Sequence, residues 1–199
     1  GFAIILKNKN YLFVDGRYTI QARFQTRKNF KVVTIPNKFP KDVLESKKKI
    51  ILGFDPKLHT EKQLKSLFKI KNVKLKYIKE NLVDIVWNNK PKNSLKPFFT
   101  ISPKNAGTTS LNKIRQVKNI LFKNKADYLL VTAPENVAWI LNIRGQDSSY
   151  SPIPNARLLL SKSGEVSLFA NPKKLKNLKK IKARYYDEKK IEIILNKLS

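Results

Sequence analysis

The apolar positions fall into short runs separated by Lys, Asn and Pro, and their period changes along the chain. Runs at residues 2–6 and 11–14 flank Lys7-Asn8-Lys9-Asn10, which predicts a β-hairpin. Asp15 follows as an N-cap for a helix over 17–25, since its carboxylate can accept from free amides of the first turn. Strands are predicted at 31–35 and 50–54, with Pro36 and Pro40 breaking the loop between them. Thr60-Glu61-Lys62-Gln63 forms a capping box, in which the Thr hydroxyl and the Gln amide satisfy reciprocal backbone amides. It opens a helix with Leu64, Leu67 and Phe68 on one face, and a strand at 73–78 and a short helix at 81–87 follow.

Residues 88–110 are rich in Pro, Asn, Lys, Ser and Thr, and the domain linker is placed within them, at 96–110. Beyond it, Leu111, Ile114, Val117, Ile120 and Leu121 recur at helical spacing. A buried strand is expected at 128–132, then a helix begun by Pro134 and ended near Gly145, where glycine suits a left-handed terminus. A polar loop over 146–155 leads to a hairpin of 157–161 and 165–169, then a helix, a strand at 181–186 and a terminal helix at 188–198. The order hairpin, helix, strand thus occurs twice, from Phe2 and from Arg157, with Leu12-Phe13 matching Leu168-Phe169 and Asp15 matching Asn171. The expected architecture is α/β: two related modules, each a mixed sheet flanked by helices, the first (1–95) truncated at its start and the second at 111–199.

Composition narrows the function classes. Apolar residues make up 41% of the chain, enough for a core, and no run approaches the ~20 apolar residues of a membrane span. The opening run 2–6 is too short and lacks the preceding basic region of a secretion signal. With no initiating Met before a predicted strand, a truncated gene product is expected. There is no Cys, so thiolate metal sites and disulfides are excluded, and a reducing cytoplasm fits. The net charge of +28 raises nucleic-acid binding as one reading. Yet only seven of the 42 basic residues are Arg, the better partner for bidentate phosphate contacts, and the Lys are spread throughout. The densest cluster, Lys173, Lys174, Lys176, Lys179 and Lys180, reads as the solvated face of a helix whose Leu175 and Leu178 point inward. Only nonspecific polyanion attraction is expected.

Few residues could carry chemistry. His59 is the single His; with Asp55 it either orders a strand-to-helix turn or acts as a lone acid–base or metal group. No nucleophile elbow, phosphate loop or dinucleotide fingerprint is present. In Asp15-Gly16-Arg17-Tyr18, Asp15 caps, Gly16 permits a tight entry and Tyr18 packs beneath, or Arg17 holds a carboxylate or a neighbouring domain. In Asn142-Ile143-Arg144-Gly145-Gln146-Asp147, Arg144 either satisfies the last carbonyls of the helix that carries Trp139 or reaches a ligand from the polar loop.

These same residues carry a resemblance. The segment from Val14 to Ala22, with Asp15-Gly16-Arg17-Tyr18, resembles the first-domain helix start of Xaa-Pro aminopeptidases (aminopeptidase P, of the creatinase/prolidase type). Gly53-Phe54-Asp55-Pro56 with Leu58-His59-Thr60, then 81–87, and then 138–147 with Pro152, are similar to that family's further landmarks, in its order. The resemblance covers nearly the whole chain and points to the three-domain, cytosolic form. It implies two creatinase/prolidase N-terminal-like modules that bind no cofactor, wall the active-site cleft and support a homodimer. It also implies an enzyme that removes the residue before a proline at position two of short peptides. The two divalent ions, manganese expected, would belong to a C-terminal catalytic domain absent here, so this segment alone is expected to be inactive. Arg144, with Gln146 and Asp147, is the expected contact to the substrate end. The rival readings are a basic nucleic-acid-binding module and a stand-alone non-catalytic paralogue.

Overall fold

A computed structural model of the chain describes residues 1–45, 48–178 and 181–198 and divides it into two compact units, 1–90 and 91–199. In the first unit, β1 (Phe2–Ile5) and β2 (Asn10–Asp15) form the predicted antiparallel hairpin. A single 3-10 turn at Gly16–Tyr18 precedes α1 (Thr19–Thr26), and β3 (Lys31–Ile35) returns parallel to β2, pairing Phe13 with Val33. Pro40 does not merely break the loop: it stands at the first position of a short helix, α2 (Pro40–Leu44), where its missing N–H has no partner to lose. β4 (Ile50–Phe54), α3 (Glu61–Phe68) and β5 (Val73–Tyr77) form a parallel two-stranded crossover, and α4 (Leu82–Val86) follows. The capping box at Thr60 and Gln63 is present, with both reciprocal bonds made. Ile4, Phe13, Val33, Leu44 and Phe68 form the core, where the Phe2 and Phe13 rings stack at 4.8 Å. Burying a ring such as Phe13 contributes roughly 1.5–3 kcal/mol.

The second unit starts with residues that composition assigns to a linker. Phe98 is fully buried, β6 (Phe99–Thr100) pairs with a later strand, and α5 (Pro103–Ala106) carries a Ser102 cap. α6 (Ser110–Lys123) and β7 (Tyr128–Val131) come next, then α7 (Pro134–Leu141) and β8 (Ile143–Arg144), the partner of β6. β9 (Arg157–Ser161) and β10 (Val166–Phe169) form the predicted hairpin, turned at Gly164 with φ of 92°. One helical turn, α8 (Pro172–Leu175), then β11 (Arg184–Tyr186) and α9 (Ile191–Leu195) complete the unit, with strand order β11-β10-β9-β7.

Several expectations change. The strand at 128–132 is not buried: β7 lies at the sheet edge, so only Val131 is covered while Tyr128, Leu129 and Leu130 stay partly exposed. The left-handed residue ending α7 is Asn142 (φ 53°), three residues before Gly145. The lysine-rich helix is only one turn long, and Lys174 is buried rather than solvated; Lys179 and Lys180 lie outside the described residues. Tyr18 is half exposed and does not pack beneath the turn, and no atom lies near enough to Gly16 to require glycine.

The internal echo is structural. β1, β2 and β3 repeat the topology of β9, β10 and β11: an antiparallel hairpin whose second strand gains a parallel neighbour. Asp15 accepts from the Arg17 amide at 3.0 Å, and Asn171 accepts from the Lys173 amide at 3.1 Å, so each second strand ends in the same cap.

Candidate functional site

The segment after α7 gathers the polar groups of the second unit. Asn142 turns the chain at the helix end; its side-chain amide donates to the Thr108 carbonyl at 2.8 Å, and its own carbonyl accepts from the Ile101 amide. Its Oδ1 accepts from Lys113 Nζ at 2.7 Å, and the same ammonium donates to the Trp139 carbonyl at 2.8 Å and lies 4.5 Å from the Trp139 ring centroid. Lys113 is 2% exposed and has no carboxylate partner among the described residues. Burial, helped by the nearby Arg144 charge, pushes its pKa below the ordinary value. The exposed edge of Trp139 remains at the surface.

Arg144 is half-buried, and its Nη1 donates to the Ile143 carbonyl at 2.9 Å and the Ala138 carbonyl at 3.3 Å. The guanidinium therefore folds back on the last turn of α7, and among the described residues no carboxylate neutralises it. Gly145 is pinned, since its amide donates to the Pro152 carbonyl and an added Cβ would lie 2.7 Å from Pro154 Cα. Gln146 points outward. Asp147 holds the loop: one oxygen pairs with Lys174 and the other accepts from the Asn155 amide at 2.8 Å. The result is a loop tied down at Gly145 and Asp147 beside the Arg144 guanidinium, with no acid, base or nucleophile among the described residues poised to react there.

Lys113 escaped the sequence reading, and Lys174 was read as solvated and Asn142 given no role, although a signal existed. Lys113 shares the face of Val117 and Leu121 in α6, at four-residue spacing. A cation in an inward-facing register needs a partner inside.

In the first unit, Arg17 binds Asp15 through two bonds of 3.0 Å and stacks near the Tyr18 ring, while remaining 81% exposed. That guanidinium holds the Asp15 carboxyl below the usual carboxylate range. Asp55 accepts from Asn81 Nδ2 and the Lys57 amide, both at 2.8 Å, which lowers its pKa as well, the Asn81 bond first. His59 packs edge-on to Phe54 at 6.4 Å. Asp55 is thus turned toward Asn81, and among the described residues no three His, Cys, Asp or Glu groups come together to hold a metal. The described residues do not fit a two-metal centre. No helix among the described residues is long and apolar enough to cross a membrane.

Comparison with known proteins gives this arrangement a context. The chain is 34% identical over 205 aligned positions to a probable Xaa-Pro aminopeptidase P of Coprinopsis cinerea, covering 94% of this chain and 32% of that protein. A protein of the same name from Laccaria bicolor is 37% identical, over 88% of this chain and 28% of its own length. The crystal structure of the X-prolyl aminopeptidase of Caenorhabditis elegans, described as a cytosolic enzyme with a di-nuclear active site, superposes on 98% of this chain. The TM-score is 0.83 at 26% identity, and 34% of that chain is covered. The chain thus spans about a third of the length of the relatives it matches. The creatinase/prolidase N-terminal domain family matches residues 89–198, the stretch that holds β6 to β11 and the Arg144 loop. With more than half of its length matched and its fold shared, the chain belongs to the creatinase/prolidase N-terminal domain family.

Proposed function

We propose that this chain supplies the two non-catalytic N-terminal modules of an Xaa-Pro aminopeptidase, an enzyme that removes the residue preceding a proline at position two. The observation that carries this reading is coverage. Both units, not one, align with about a third of such an enzyme, in sequence and in fold. The described residues offer no set of ligands for a metal pair, and the two ions, manganese by expectation, would be held by polypeptide outside this segment. The modules wall the active-site cleft, restrict it to short peptides and support a homodimer of the whole enzyme in the cytoplasm. Arg144 faces the substrate end through the guanidinium edge not given to the Ala138 and Ile143 carbonyls, with Gln146 beside it, while Asp147 positions the loop.

A chimera tests this. The aligned N-terminal segment of the Coprinopsis cinerea relative is replaced by this chain, and hydrolysis of an Ala-Pro-containing peptide is measured with manganese. Activity within about tenfold of the parent is expected, whereas the 199-residue chain alone should show none. A folded but inactive chimera, or turnover by the isolated chain, overturns the reading.

A further inference from the structure

Two cations hold successive carbonyls at the end of α7. Arg144 Nη1 donates to the Ala138 carbonyl at 3.3 Å, and Lys113 Nζ donates to the Trp139 carbonyl at 2.8 Å. They arrive from different elements, Lys113 from the first turn of α6 and Arg144 from β8. Neither has a carboxylate partner among the described residues. Burial first, and the Arg144 charge second, lower the Lys113 pKa, so the two cations are near enough to repel each other.

Packing does not account for this lysine. It is 2% exposed, and burying an ammonium without a counter-charge costs several kcal/mol per ion. A Leu or Met there would pack with Val117 and Leu121 without that penalty. What the ammonium adds is connection. It also donates to Asn142 Oδ1 at 2.7 Å, and Asn142 in turn bonds Thr108 and Ile101 and makes the left-handed turn. Ile143 and Arg144 follow that turn at once, paired to β6 with Thr100 opposite Ile143 and Phe99 opposite Arg144. The backbone under Arg144 is therefore fixed, but its guanidinium has a choice of acceptors. The last carbonyls of a helix lack intrahelical partners, and that of Trp139 lies one residue beyond that of Ala138. Lys113 occupies it.

We propose that Lys113 is the positioning residue for Arg144: it fills the Trp139 carbonyl, repels the guanidinium from it and keeps the free edge of Arg144 turned outward. This rests on Arg144 being the contact to the substrate end; Lys113, being buried, touches no substrate. Without the ammonium the guanidinium moves onto the vacated carbonyl, where the helix end attracts a cation, and its outward edge is withdrawn.

The chimera with the Coprinopsis cinerea relative supplies the assay, with kcat and KM determined separately for an Ala-Pro-containing peptide and manganese. Lys113→Met is expected to raise KM about tenfold and leave kcat within about twofold, the mark of a lost binding contact. Arg144→Met should raise KM at least as much. Adding Lys113→Met to it should change nothing further, because both act through one guanidinium. Lys123→Met, the same exchange at an exposed place on α6, should leave both constants unchanged. A second measurement needs neither a Lys113 variant nor activity. In the 199-residue chain, the NMR titration of the Lys113 ammonium should move to higher pH on Arg144→Met. An unchanged KM in an active Lys113→Met chimera, or additive effects in the double variant, overturn the proposal and leave the functional reading standing. An unmoved Lys113 titration overturns it as well, since the two cations then do not face each other. An unsubstituted chimera that folds without activity overturns the functional reading and this proposal with it.

Discussion

Asp147 and Lys174 form an ion pair inside the second unit, with side-chain exposures of 14% and 6%. They are 27 residues apart, and the pair fastens the loop after β8 to α8. Lys174 also lies 5.8 Å from the Phe98 ring centroid, and its carbonyl accepts from the Phe98 amide. Removing one partner leaves a charge with no water and no counter-charge. Asp147→Ala is expected to destabilise the unit by about 3–5 kcal/mol. The double change Asp147→Leu with Lys174→Met should recover most of that loss. Urea unfolding of the single and double variants measures both, and equal losses would show that the pair does not act as a unit.

Lys113 predicts a pH dependence with a definite sign. Its folded pKa lies below the ordinary 10.5, which the unfolded chain retains. Between the two values the unfolded state binds more protons, so stability rises with pH through that window. Below it the cost of the buried charge is present in full. Lys113→Met should remove this dependence. Unfolding free energies measured as pH rises toward about 10.5 should therefore shift in favour of the wild type relative to the variant. A flat difference would contradict the buried, depressed amine.

Two glycines should behave oppositely. Gly145→Ala places a methyl group 2.7 Å from Pro154 Cα, a backbone atom that cannot swing aside. A loss of about 1–3 kcal/mol is expected. Gly16→Ala meets nothing within 4 Å and should change stability by less than about 0.5 kcal/mol. Thermal melts of the two variants separate these outcomes.

The net charge of +28 should attract polyanions only loosely. Fluorescence anisotropy with a mixed-sequence DNA duplex is expected to show weak binding that disappears at physiological salt. A slope equivalent to about six or more released ions, with submicromolar affinity retained, would instead favour the nucleic-acid reading.

Local chemistry made much of this fold legible in advance. The Thr60–Gln63 box, the strand at 31–35 and the Leu12-Phe13 echo depend on neighbours within a few residues, and each stands as read. What escaped depends on distant partners. The two-residue strands β6 and β8 exist because Phe99 meets Arg144, 45 positions along, and no periodicity announces so short a run. Val131 joins the core and Leu129, on the same face of β7, stays 38% exposed, a difference set by what packs over the sheet and not by the strand's own residues. Asn142 took the left-handed turn expected near Gly145 because its amide group also bonds Lys113 and Thr108. The Arg144 loop and the return of its guanidinium to a carbonyl of the preceding helix were both open to the sequence reading, but the second carbonyl that receives it, that of Ile143 in β8, was not.

Among the described residues two lysines are buried, Lys113 and Lys174. An acylating reagent at neutral pH should therefore label the surface lysines quickly and these two at the pace at which the second unit opens. Their modification, read by mass spectrometry, would act as a clock for local unfolding that the fold itself has installed.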